Sequence, residues 1–126
     1  MKFGYMIFYV ADVSATISFY ESAFGLNRRF VTEDNKYGEL DTGTTTLSFS
    51  SFEMADMNGV KVTRSKNHES SAEIGFVTEN VERDFERALK AGATLVKKPT
   101  QKPWGQKVGF VKDLNGFLVE ICSPVQ

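Results

Sequence analysis

Glu120 interrupts an otherwise apolar run, Phe117-Leu118-Val119-Glu120-Ile121-Cys122. A carboxylate on a buried strand is costly unless something pairs with it. Its place there therefore suggests a general acid or base, a counter-charge for a cationic ligand, or a group salt-bridged at a cavity mouth. Glu73, beside Ser70-Ser71, is the second carboxylate of interest. If both face one cavity, desolvation and mutual repulsion raise at least one pKa, which is what acid–base work near neutral pH needs. Cys122 lies two positions beyond Glu120 and shares its face. The local sequence offers no base or cation to activate a thiol, so Cys122 reads as a small buried hydrophobe. His68, the sole histidine, stands among Asn67, Glu69 and Ser70, where nothing at hand fixes it, and reads as a solvated loop residue.

Aromatic side chains supply a second kind of chemistry. Tyr5, Ile7 and Tyr9 alternate along one predicted strand, and Thr45, Leu47 and Phe49 along another. Faces built this way suit a flat organic ligand, while Ile7 and Leu47 taken individually read rather as ordinary core. Trp104, in Lys102-Pro103-Trp104-Gly105-Gln106, belongs to an irregular loop, where an indole either stacks on a ligand or fills a subunit interface. Arg28-Arg29 offers a site for an anionic group or simply a solvated face.

The elements that position these residues follow from hydrophobic period. Phe3 to Val10 is aromatic and β-branched, and is expected as a strand ending at Ala11-Asp12. Val13, Ile17, Tyr20 and Phe24 then recur at helical spacing, with Asp12 or Ser14 as the cap and Gly25 as the stop. Leu26 to Thr32, Tyr37 to Asp41 and Thr44 to Ser50 are predicted strands. Residues 52–71 are small, polar or charged and are read as a linker. Glu73 to Thr78 is predicted as a strand. Val81, Phe85, Ala88 and Leu89 mark a second helix ending at Gly92, and Thr94 to Lys97, Lys107 to Val111 and Phe117 to Cys122 complete the strands.

The order is thus β-α-β-β-β twice, residues 3–51 and 72–124, within one domain spanning 1–126. Ile7 to Val13 lies over Gly75 to Val81, with Phe8 and Val13 meeting Phe76 and Val81. Tyr37-Gly38-Glu39 falls over Trp104-Gly105-Gln106, and the two ends align on Gly43 and Gly116. The expected fold class is α+β, two βαβββ modules.

Length and charge narrow the function classes. With 126 residues, 41% hydrophobic and 25% charged, the chain has the size of one compact domain. Fifteen Lys and Arg against sixteen Asp and Glu give a net charge of −1 without a basic cluster, so nucleic acid is not an expected partner. No apolar run approaches the ~20 residues of a membrane span, one cysteine cannot pair internally, and the N-terminus has no secretory pattern. A cytoplasmic protein without a membrane partner is expected.

The segments FYVADVSATISFYESAFGL, AEIGFVTENVERDFERALKAGATLVKKP and KPWGQKVGFVKDLNGFLVEICSP together resemble the vicinal oxygen chelate superfamily, the glyoxalase, bleomycin-resistance and extradiol dioxygenase group. The resemblance implies paired modules whose mixed sheets curve into a cup, usually assembled as a homodimer. It also implies that metal-dependent members draw their ligands from the first and last strand of each module. Carried over residue by residue, those positions are Tyr5, Leu47, Glu73 and Glu120. Tyrosine and glutamate stand where histidines are usual, and Leu47 has no donor atom, so no cofactor is expected. What the likeness implies is a metal-free protein holding a small aromatic or cationic molecule against Tyr5, Tyr9, Leu47, Phe49, Glu73, Trp104 and Glu120. Two alternatives stand beside it. One is a glyoxalase-like lyase or isomerase with a divalent metal on Glu73, Glu120 and partner-chain groups; the other is a metal-free enzyme using Glu120 or Glu73 as the catalytic acid or base.

Overall fold

Asp12 ends the first strand and opens the first helix. Its extended backbone lets the carboxylate accept the Ala15 amide at 3.0 Å, satisfying a helix N–H that has no partner within the helix. In the computed structural model, which describes residues 1–125, the chain runs β1 (Tyr5–Val10), α1 (Val13–Phe24), β2 (Asn27–Val31), β3 (Tyr37–Asp41), β4 (Thr46–Ser51), α2 (Phe52–Met57), β5 (Glu73–Val77), α3 (Val81–Lys90), β6 (Thr94–Gln101), β7 (Lys107–Lys112) and β8 (Leu118–Cys122). Two four-stranded mixed sheets result, ordered β1-β4-β3-β2 and β5-β8-β7-β6. In each, the first strand pairs in parallel with the last and the remaining pairs are antiparallel. The fold is therefore α+β with the β-α-β-β-β order repeated. Among the described residues, no helix is long and apolar enough to cross a membrane.

Contacts divide the chain into two units. The first is Met1–Glu21 with Gly25–Ser65. Its core is the inner face of α1 on the sheet: Val13, Ile17, Tyr20, Leu40 and Phe49 are fully buried. The Tyr20 and Phe49 rings lie 4.9 Å apart. Each such side chain contributes about 1.5–3 kcal/mol of burial. Asn35, on the turn before β3, donates to Asp12 Oδ1 at 3.1 Å and accepts from the Ser14 amide at 2.7 Å, so the β2–β3 turn fastens the start of the helix.

The second unit is Ser22–Phe24 with the chain from Lys66 onward. The Phe24 ring lies 4.9 Å from Phe76, and Arg87 Nε donates to the Ser22 carbonyl at 2.9 Å. Asn80 caps α3 by accepting the Arg83 amide, as Asp12 caps α1. Val81, Phe85 and Ala88 face Val111, Val119 and Ile121 in the core.

Three expectations are corrected. Residues 52–71 are not a bare linker, because Ser51 accepts the Met54 amide at 3.3 Å and starts α2, whose Ala55 is fully buried. β6 extends to Gln101, well past Lys97, through two irregularities in its pairing with β7. The counterpart of Gly38 is Gly109 and not Gly105. Gly38 pairs with Phe49, and Gly109 with Ile121. A Cβ on Gly38 would stand 3.0 Å from Val13, and one on Gly109 2.8 Å from the Phe85 ring. Both glycines let a helix lie close on its sheet.

Candidate functional site

Strand register decides which side chains meet. In the second unit Gly75 is opposite Glu120 and Val77 opposite Cys122 across the parallel β5–β8 pair, while Glu120 faces Phe110 across β7–β8. Residues directly opposite share a face, so Glu73, Glu120, Cys122 and Phe110 stand together on the side away from α3. Glu73 is exposed and Glu120 half-buried. The register sets the two carboxyls diagonally across β5–β8. The Glu120 carboxyl beside it, and then burial, raise the Glu73 pKa above the ordinary carboxylate range. The sequence could name these two acids individually. Only the pairing of β5 with β8 brings them into contact.

Cys122 is buried beside them and its thiol donates to the Phe76 carbonyl at 3.7 Å. Burial first, then the Glu120 hydrogen bond and the charges of Glu120 and Glu73, push its pKa up to about 11. Such a thiol is inert, as its apolar neighbours suggested. Gln106 ties the rim together. Its Nε2 donates to the Ser123 carbonyl at 2.8 Å, and its Oε1 accepts from Trp104 Nε1 at 2.8 Å. The indole is 62% exposed, so its edge is fixed while its surface stays open.

His68 departs from the expectation of a solvated loop residue. It is half-buried, and its ring stands edge-on to Phe117 with centroids 6.3 Å apart. The backbone of Lys66 packs against Gly116, drawing this segment onto the β7–β8 turn.

In the first unit Tyr5 pairs with Thr46, Ile7 with Ser48 and Tyr9 with Ser50. Leu47 and Phe49 therefore do not share the Tyr5 face. Leu47 is buried and Phe49 is fully buried against Tyr20 and Phe8, so both serve the core instead of lining a ligand surface. The position equivalent to Glu120 is Ser48, since Ser48 lies opposite Ile7 and Glu39 as Glu120 lies opposite Gly75 and Phe110. The error came from aligning the modules on Gly43 and Gly116. The β7–β8 connection is one residue longer than the β3–β4 one, and a one-residue slip moves every side chain to the opposite face.

Tyr5 is 61% exposed and Tyr9 half-buried. Beside them lies a polar chain that sequence reading missed. Tyr37 donates its hydroxyl to Glu39 at 2.7 Å and lies 3.0 Å from the Ser48 hydroxyl. Arg29 donates to Glu39 and to Thr46, each at 3.2 Å. Burial, with Glu39 adding to it, raises the Tyr37 pKa and keeps it a proton donor. The signal was present in the alternating polar positions of Tyr37-Gly38-Glu39 and Thr46-Leu47-Ser48. Arg28 and Arg29 are likewise not merely a solvated face, for Arg28 pairs with Glu21 at 2.9 Å and Arg29 with Glu39.

The donor set does not fit a resident transition metal. The family positions offer a phenol at Tyr5, a hydroxyl at Ser48, and two carboxyls at Glu73 and Glu120, with no imidazole or thiolate among them. Among the described residues, no group of three or more His, Cys, Asp or Glu side chains is arranged to hold a metal ion.

Solved structures share the fold at low identity. A glyoxalase/bleomycin resistance protein/dioxygenase family enzyme from Burkholderia phytofirmans PsJN aligns with a TM-score of 0.85 at 21% identity, covering 100% of both chains. A glyoxalase-related enzyme from Fulvimarina pelagi gives 0.83 at 20% identity, over 98% of this chain and 88% of that one. A virulence protein from Salmonella typhimurium gives 0.69 at 24% identity, over 99% and 98%. No curated protein matches in sequence. The family model for the glyoxalase/bleomycin resistance protein/dioxygenase superfamily matches residues 2–121, and the chain belongs to that superfamily.

Proposed function

We propose that this protein binds a small, flat, positively charged organic molecule at the Glu73–Glu120 pair, without a resident metal and as a homodimer. The observation that carries the reading is the placing of the two carboxyls diagonally on one sheet face, with Glu120 opposite Phe110. Two acids on one face repel each other when ionised, and a ligand that brings a positive charge relieves that repulsion. Phe110 and Leu118 give apolar surface on the same face. The exposed Trp104 indole suits a cation–π contact. Calorimetry with a planar cationic dye such as acriflavine, in buffers of differing ionisation enthalpy, tests this. Binding is expected, with affinity at least about tenfold weaker in Glu120→Gln, the loss of about 1.4 kcal/mol of charge attraction. Equal affinity in that variant would reject the reading.

A second reading makes the same pair the acid and base of a metal-free enzyme. It is favoured by the raised pKa of Glu73 on the same face as a second carboxyl, the arrangement that acid–base chemistry uses. A metal-dependent lyase on these residues has weaker support, because the face supplies only two donors.

A further inference from the structure

Gly75 is a glycine that neither backbone nor packing requires. Its φ is not among the positive values that favour glycine, which belong to Gly25, Gly43, Gly59, Gly92, Gly105 and Gly116. A Cβ built on it meets nothing within 4 Å, in contrast to Gly38 and Gly109, where a helix side chain stands in the way. A glycine inside a strand costs roughly 0.5–1 kcal/mol relative to alanine and gives the sheet no side chain to pack. Its counterpart in the first module is Ile7, which carries a full side chain next to Ser48.

What Gly75 does have is its neighbour. It lies directly opposite Glu120 across β5–β8, and β5 is the edge strand of its sheet. On the other side Glu120 is flanked by Phe110 of β7. Isoleucine at position 75 would close the β5 side as Phe110 closes the β7 side. With glycine there, the Glu120 carboxyl stays open along a backbone-lined slot between Glu73 and Val77, the latter 64% exposed.

We infer that Gly75 is the specificity-determining residue of this site, keeping open the approach by which a flat cationic ligand lies on the β5 backbone and reaches Glu120. The inference rests on the ligand class proposed above, yet the slot can be tested without that ligand. The probe is a water-soluble carbodiimide bearing a tertiary ammonium group, itself a small cation. It adds a carboxyl oxygen to its central carbon while the carboxyl proton moves to nitrogen. An added amine, glycine methyl ester, then displaces the urea and forms an amide. Mass spectrometry of peptides reads the rate separately at Glu120 and Glu73.

In the wild-type protein Glu120 is expected to be labelled. Gly75→Ala should slow labelling slightly and Gly75→Ile by at least about tenfold, while Glu73 keeps its rate to within about a factor of three. Both variants should melt at or above the wild-type temperature, since the position has room and gains strand propensity. Unchanged Glu120 labelling in Gly75→Ile overturns the inference. So does an unlabelled Glu120 in the wild type, which would mean that another backbone covers the face, and so does a drop in melting temperature in Gly75→Ala, which would make the glycine structural. Failure of acriflavine to bind while this labelling pattern holds would reject the ligand class and leave the slot standing.

Discussion

Glu73 and Glu120 stand diagonally on one face of the two parallel strands β5 and β8, and the Glu120 carboxyl, with burial, raises the Glu73 pKa. The consequences of this placement are measurable.

Glu73 has a folded-state pKa above its ordinary value of 4.5. The folded protein therefore binds this proton more tightly than the unfolded chain. That stabilisation is complete below about pH 4.5 and is lost as pH rises through the raised value. Glu73→Gln has the shape of the protonated carboxyl and does not titrate. It should match the wild type in acid and exceed it at pH 7, by no more than about 1 kcal/mol because Glu73 is exposed and solvent screens it. Asp12 and Asp84, held low by the Ala15 amide and by Arg83 respectively, lose stability in the opposite direction. The measurement is thus the difference between variant and wild-type denaturation across pH 3 to 8, and a variant less stable at pH 7 would contradict the assignment.

Cys122 should resist thiol reagents. A pKa of about 11 against the ordinary 9.0 lowers the thiolate fraction at neutral pH about a hundredfold, and burial to 4% exposure slows access further. Iodoacetamide labelling at pH 7.5 should be far slower than for free cysteine in the native protein and ordinary in denaturant. In Glu120→Gln the native rate should rise, since the adjoining carboxylate is gone, but stay below that of free cysteine because burial is the larger cause.

Gly109→Ala should destabilise the fold by about 1–3 kcal/mol, the cost of overpacking a core that cannot yield. The added methyl would stand 2.8 Å from the Phe85 ring and 3.0 Å from Pro99. Urea denaturation measures it. Pairing the change with Phe85→Leu should recover part of the loss, whereas additive losses would place the strain elsewhere.

Assembly can be checked by light scattering. β1 and β5 are edge strands of their sheets, and Tyr5 and Met6 on the one and Val77 on the other are 61%, 41% and 64% exposed. Symmetric pairing is the common way to cover such edges. A mass of two chains at micromolar concentration is expected; one chain would oppose the dimer.

The chain itself determined the repeated β-α-β-β-β elements and their order, though not α2, whose residues read as linker. Val13, Ile17 and Tyr20 at helical spacing, Asp12 and Asn80 at the caps, and the likeness of Ile7 to Val13 with Gly75 to Val81 are all local facts, and local periodicity is enough to choose helix or strand. What it could not determine was the register between strands far apart in sequence. Whether Leu47 or Ser48 faces the same side as Tyr5 depends on one residue in a connection, and side chains alternate with a period of two, so a slip of one inverts the answer. The shared face of Glu73 and Glu120, the Arg29–Glu39–Tyr37 chain and the open side of Glu120 at Gly75 have the same origin. Each joins residues that only the pairing of strands brings together, and that pairing is a property of the tertiary structure.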